Sequence, residues 1–356
     1  MTAVLTKRRN ANRRAVTGWP VRLGPVALLL KPRTVLAGFV LLAGIAAVTV
    51  TALGTGEVDL TLDEIVAVLT GDGEPGPQFI IETLRLPRAL TALTVGAALG
   101  ASGALLQGMA RNPLVSPDII GFTSGSATGA IVSFILGADS LMQVGAGALA
   151  GGTAASLLVY LLAYRRGGTG PRLVLVGVGA TAALTAFNSY LISKAPIHDA
   201  MAAQSWLVGG LNNRGWDHVT VMAAALAVLM PLVAVAAFRL RALELGDTTA
   251  QVLGARAEAS RLLLLCTSVG LAAMATAIAG PVAFVAFAAP HLTRPLTGGR
   301  PGPFAAAGMG ALLLAGCDVA TQRLFSPVPL PVGILTAGLG GCYLAWMLAT
   351  SRRSHR

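Results

Sequence analysis

The chain has 356 residues, 54% of them hydrophobic and 12% charged, with a mean hydropathy of +0.73 and a formal net charge of +11. That balance excludes a soluble globular domain, a disordered segment, a collagen-like repeat and a disulfide scaffold, and it specifies a polytopic membrane protein. The 43 glycines and the low aromatic content of 5% suit closely packed transmembrane helices, in which small residues let backbones approach.

The basic residues lie between apolar runs, not along one soluble face, so they report topology, and no nucleic-acid partner is expected. Residues 1–33 read as a basic cytoplasmic tail, partly disordered and able to touch anionic headgroups. The apolar run 34–53 is too long for a signal peptide and lacks a small-residue cleavage site, which makes it the first span. Further spans follow near 89–109, 119–138, 141–163, 173–192, 219–238, 303–320 and 332–349. Between Leu262 and Leu292 lie 31 nearly uncharged residues, more than one crossing and less than two, broken by Pro281 and Pro290.

Charge asymmetry fixes the parity. With the N-terminus inside, 21 basic residues fall on the cytoplasmic side and only Arg85, Arg88, Lys194, Arg214 and Arg323 fall outside. Keeping both Arg261 and Arg294 inside requires two passes between them, so 262–293 is expected to form two short or broken helices. The expectation is an all-α fold with a ten-helix transmembrane domain over 34–350, a cytoplasmic tail at 351–356 and both termini inside.

Several local patterns carry alternatives. Gly96 and Gly100, and Gly121, Gly125 and Gly129, have small-xxx-small spacing, which serves ordinary helix packing or a sliding face. Gln107 to Asp118 is a polar turn in which Asp118 is placed to cap the next helix, while Gln107 and Asn112 suit either packing or a transport pathway. Arg85 and Arg88 stand against the positive-inside tendency and either pair with local acids such as Glu82 or receive the carboxylates of an external partner. Asp318, near the outer end of its span, is expected to pair with Arg323 or to end the helix. The charged stretch 239–261 is the longest loop of its kind and suits a cytoplasmic protein partner.

Absences are equally informative. No phosphate loop, H-E-x-x-H motif, nucleophile elbow or catalytic His/Asp set occurs, so no catalytic residue is expected and ATP hydrolysis is not a property of this chain. Almost no ionisable residue lies deep in a span, which disfavours a stand-alone ion-coupled carrier. Cys266, Cys317 and Cys342 are single apolar-context cysteines without metal-ligand spacing, so no metal site is expected.

Taken together, LRLPRALTALTVGAALGASGALLQ (84–107), RNPLVSPDIIG (111–121), Trp206-Leu207-Val208-Gly209-Gly210 with Trp216, LGDTTAQVLG (245–254), GPVAFVAFAAPHLTR (280–294), Asp318 and LPVGILTAGLGG (330–341) resemble the FecCD family of ABC-transporter permeases. The resemblance covers nearly the whole chain after residue 55. It implies a ten-span subunit of the bacterial cytoplasmic membrane that imports ferric siderophores, with cobalamin or haem as alternative cargo. It further implies a second permease, a dimer of ATPase subunits that use ATP and Mg, and an extracytoplasmic substrate-binding protein, with no cofactor held by this chain.

Carried over residue by residue, the resemblance assigns binding-protein docking to Arg85 and Arg88, and ATPase coupling to the loop containing Leu245, Gly246, Asp247, Leu253 and Gly254. Gln107, Asn112, Pro290 and His291 become pathway or gate candidates. The chain departs from the family where Gln322 and Pro329 replace the usual Arg and Glu, leaving Arg323 one place along as a third docking candidate. Ala286 and Phe287 replace Gly and Leu, a change expected to alter packing.

Overall fold

The computed structural model describes residues 19–23, 26–30, 32–56, 58–117, 121–138, 140–163, 170–246, 252, 256–299, 302–325 and 330–351. Apart from one N-terminal ribbon, the regular elements among the described residues are helices. The ribbon pairs β1 (Trp19–Leu23) with β2 (Val26–Leu30) antiparallel, Trp19 opposite Leu30 and Leu23 opposite Val26. It occupies part of the stretch expected to be a tail.

The helices are α1 (Pro32–Gly54), α2 (Leu62–Thr70), α3 (Pro75–Phe79), α4 (Leu86–Ala110), α5 (Phe122–Ile135), α6 (Leu141–Ala163), α7 (Gly170–Lys194), α8 (Ile197–Leu207), α9 (Trp216–Glu244), α10 (Ala257–Ala279), α11 (Val285–Thr297), α12 (Pro303–Leu324) and α13 (Val332–Ser351). Seven of them, α1, α4, α6, α7, α9, α10 and α12, are long and apolar enough to cross a membrane. Two shorter apolar helices, α5 and α13, join them, and with the 13-residue α11 the number is roughly consistent with the ten expected. The short α2, α3 and α8 sit on connections and were not anticipated.

A π-helical turn, Ile80–Arg85, joins α3 to α4. Pro87 has no N–H to give to Thr83, and Leu86 donates to Ile81, five residues back, so the register widens by one residue just before the proline. Both arginines of the LRLPR segment are thereby presented on adjoining turns at the head of α4.

α4 is the axis of the bundle. Of its apolar span 78% is buried, against 11% of α7, and it packs on α12, α10, α9 and α11. Small residues make this possible: a β-carbon at Gly96 or Gly100 would overlap the backbone of α12 at Gly310 and Ala306. On the second stripe, Gly125 and Gly129 face Gly151 and Gly147 of α6. Both stripes therefore pack helices, but Gly121 belongs to neither: at φ 79° it is the N-cap residue of α5. Asp118, expected in a capping role, lies outside the described residues.

The 262–293 expectation is corrected in one respect. The first of the two helices is full length, 23 residues, because it begins at Ala257 and takes Arg261 into its second turn; only α11, 13 residues, is short. The break falls at Gly280–Phe284, where Gly280 and Phe284 both have positive φ, 72° and 65°. Pro290 and Pro295 do not break α11.

Candidate functional site

The head of α4 and the C-terminal end of α12 meet through charge. Arg88 donates from Nε to Asp318 Oδ2 at 2.9 Å and from Nη2 to Asp318 Oδ1 at 2.7 Å, a side-on bidentate pair. Gln322, one turn along α12, donates from Nε2 to the same Oδ2 at 2.9 Å. The Asp318 side chain is 4% exposed and that of Arg88 24%, so the acid is sealed while the arginine side chain still reaches the surface.

The other two arginines engage the end of α1 and the segment after it. Arg85 donates from Nη1 to Leu53 O at 2.6 Å, a carbonyl in the last turn of α1, and from Nη2 to Val58 O in the segment after it. Arg323 donates from Nε to Thr55 Oγ1 at 3.0 Å and is otherwise exposed. The pairings proposed from local sequence are thus corrected: Asp318 takes Arg88, not Arg323, and Glu82 takes Gln78 at 3.2 Å. The reason is distance in sequence, since partners 230 residues apart are invisible to any local count.

At the same end, three of the distant motifs converge through backbone. Gly210 N–H donates to Ala279 O at 2.8 Å and Gly333 N–H to Gly209 O at 3.2 Å, so the connection after α8 is wedged between the end of α10 and the start of α13. Trp216 Nε1 donates to Glu82 O at 2.8 Å, fastening α9 to the π-helical turn. In the connection before it, burial depresses the Arg214 guanidinium, an effect that neighbouring Asp217 opposes.

The opposite end of α4 holds the pathway candidates, and the structure separates their roles. Gln107 donates from Nε2 to Phe287 O at 3.2 Å, and His291 Nδ1 lies 2.9 Å from that same carbonyl, so α4 and α11 share one acceptor. His291 is buried, with its ring 4.7 Å from that of Phe287 and 6.3 Å from that of Tyr343 on α13. Gln107 and Pro290 border a cavity of about 530 Å³ together with Arg111, Leu240, Glu244 and Arg294. Asn112 takes a local role instead: its Oδ1 accepts from Leu114 N–H at 3.0 Å, closing the turn after α4.

A second cavity, about 570 Å³, opens between α5, α7, α11 and α13, and its walls carry no charged side chain. Ser116, Thr123, Ser124 and Thr181 line it together with Phe284 and Phe287. Sequence reasoning missed both phenylalanines as site residues; the signal was two aromatic residues within a Gly/Ala-rich stretch.

The coupling-loop candidates are reached only in part. Leu245 caps α9 and Gly246 turns the chain at φ 102°, while Asp247, Leu253 and Gly254 lie outside the described residues. Arg111, the left-handed C-cap of α4, donates from Nη2 to Leu243 O at 2.6 Å and so ties the axis of the bundle to the root of that loop.

Comparison with known proteins places this geometry. The chain is 42% identical over 302 residues, 85% of it and 92% of the relative, to the ferric enterobactin transport system permease protein of Escherichia coli (strain K12). It is 36% identical to the achromobactin transport system permease protein of Dickeya dadantii (strain 3937), over 86% of this chain and 89% of that one. Among solved structures, an ABC transporter assigned to the metal-chelate type, in an inward-facing conformation, superimposes with a TM-score of 0.78 at 30% identity, covering 88% of this chain and 98% of that one. The pattern of the FecCD transport family matches residues 42–350, and the chain belongs to that family of transporter permeases.

Proposed function

We propose that this chain is the membrane-spanning permease subunit of an ATP-driven ABC importer that carries ferric siderophore complexes across a bacterial cytoplasmic membrane. The observation that carries the reading is the 42% identity, over 85% of the chain, to a ferric enterobactin permease. In this reading both termini are cytoplasmic, a second permease completes the pathway and a binding protein delivers cargo at the Arg88–Asp318 end. An ATPase dimer, the site of ATP and Mg, docks on the loop 239–261. No cofactor is assigned to this chain.

Function then follows from alternating exposure of one pathway. The charge-free 570 Å³ cavity suits a bulky chelate that must pass without being held, because a permease that gripped iron by its own ligands would slow release. Arg111 links the axis helix to the root of the ATPase-facing loop, giving nucleotide-driven movement of that loop a route into the bundle.

The test is uptake of a radio-iron-loaded siderophore panel beside labelled cobalamin, in cells lacking this gene and in the same cells with it restored. Restored iron uptake that vanishes when the ATPase is disabled supports the reading and names the cargo. Restored cobalamin uptake alone replaces the substrate, and uptake independent of the ATPase overturns the mechanism.

A further inference from the structure

We infer that Asp318 is a positioning residue for partner docking: it holds the Arg88 guanidinium by its side edge so that the end-on fork faces an acidic side chain of the binding protein. The inference rests on the importer reading and gives a role to a residue that the docking assignment left out.

An arginine offers two forked edges to carboxylates, one from Nε and an Nη, the other from the two Nη groups. Arg88 spends the first on Asp318, as the Nε to Oδ2 and Nη2 to Oδ1 distances of 2.9 and 2.7 Å show. The second edge remains, on a side chain that is 24% exposed. Asp318 cannot swing out to meet a partner itself. It is 4% exposed, both of its oxygens are engaged, and Gln322 holds Oδ2 at 2.9 Å from its own helix. A guanidinium fixed in this way loses little rotamer freedom when a second carboxylate arrives, which is what preorganisation contributes to affinity.

The neighbouring arginines divide the work. Arg85 has both Nη groups bonded to the carbonyls of Leu53 and Val58, which ties its guanidinium to the end of α1 and the segment after it. Arg323 donates from Nε to Thr55 and stands exposed on α12, five residues after Asp318. The partner surface therefore has two cations, Arg88 and Arg323, each aimed by one polar group, and the matching surface of the binding protein is a pair of carboxylates.

The experiment uses the complete transporter reconstituted in nanodiscs, with its purified binding protein titrated onto it at two salt concentrations. D318N is expected to weaken binding about tenfold and to flatten the salt dependence, while basal ATPase activity persists. The exchange variant, R88D with D318R, re-forms the ion pair with the guanidinium on α12. It is expected to regain the thermal midpoint of the parent complex but to bind as weakly as D318N. Affinity within twofold of the parent in D318N, or tighter binding, overturns the inference, as does an exchange variant that recovers affinity along with stability. If the unaltered transporter fails to bind any substrate-binding protein, the importer reading fails instead, which separates the two.

Discussion

Gly103 on α4 lies directly under the carbonyl oxygen of Ala286 on α11, so close that a β-carbon at 103 would overlap it. That carbonyl is the one that Pro290, four residues on and lacking an N–H, leaves without an intrahelical donor. The proline and the glycine thus form one device: the first frees a backbone oxygen, and the second lets a neighbouring helix approach it.

Gly103→Ala should therefore cost about 2–3 kcal/mol of unfolding free energy in mixed micelles, despite the ~1 kcal/mol that alanine ordinarily gains over glycine in a helix. Gly316→Ala on α12, where nothing lies within 4 Å, is the control and should be neutral or stabilising. Equal behaviour of the two variants would refute the close approach.

A second helix contact is polar. Ser102 and Ser268 lie buried with their hydroxyls 2.8 Å apart, Ser102 Oγ also reaching Ser268 O at 2.7 Å and Ser268 Oγ reaching Ser102 O at 2.8 Å, so α4 and α10 are joined reciprocally. Each alanine variant removes one hydroxyl and leaves the other with only its bond to the opposite backbone carbonyl. A double-mutant cycle should return a coupling of about 1 kcal/mol, within the range of interhelical hydrogen bonds in membranes. A coupling indistinguishable from zero would show that the pair is incidental.

Much of this architecture could be read from sequence because hydrophobic length and charge asymmetry are local quantities. The span α6 falls at 141–163, where the apolar run predicts it, and seven helices are long and apolar enough to cross a membrane. What escaped was set by partners far apart in the chain. Asp318 seemed destined for Arg323 because five residues separate them, yet the fold brings Arg88 from 230 residues away. Asn112 looked like a pathway residue because it is polar, but its side chain serves the turn it sits in. The full length of α10 escaped because Arg261 bounds the uncharged run, although a charge near a helix end can reach the interface without ending the span.

Arg85 offers a test that separates structure from docking. Its guanidinium holds Leu53 O and Val58 O, and Gly56 leaves room for it, since a β-carbon there would come within 2.9 Å of Cζ. Arg85→Ala should lower the thermal midpoint of the permease, with a loss of about 2 kcal/mol for the two charged hydrogen bonds, and should leave binding-protein affinity within twofold. A large loss of affinity without loss of stability would return Arg85 to the partner surface.

The cap of α2 makes a pH prediction. Thr61 donates from its backbone N–H to Glu64 Oε2 at 2.7 Å and from its hydroxyl at 2.8 Å, and these bonds hold the Glu64 carboxyl below its ordinary value. Because the folded value is the lower one, the cap is fully stabilising above the ordinary value of 4.5 and is lost as pH falls through the depressed folded value. Hydrogen exchange in α2 should stay slow down to about pH 4.5 and quicken below it, whereas Glu64→Gln should show the quick exchange at every pH. Identical profiles for the two proteins would remove the carboxylate from the cap.

The last prediction concerns coupling. Arg111 closes α4 with a left-handed C-cap at φ 51° and donates to Leu243 O at 2.6 Å, two residues before Leu245. If ATPase movement enters the bundle through this tie, Arg111→Ala should lower ATP-dependent uptake about tenfold, equivalent to ~1.4 kcal/mol, while the ATPase still co-purifies and hydrolyses ATP without cargo. Arg111→Lys should fall between the two, since an ammonium can meet the carbonyl but lacks the planar fork that fixes its direction. Because the arginine also occupies a strained backbone position, Arg111→Gly serves as the control: it relieves the positive φ yet removes the side chain, and it should be as uncoupled as the alanine variant although it folds at least as well. Full uptake by the glycine variant would mean that backbone strain, and not the bond to Leu243, was the source of the alanine defect.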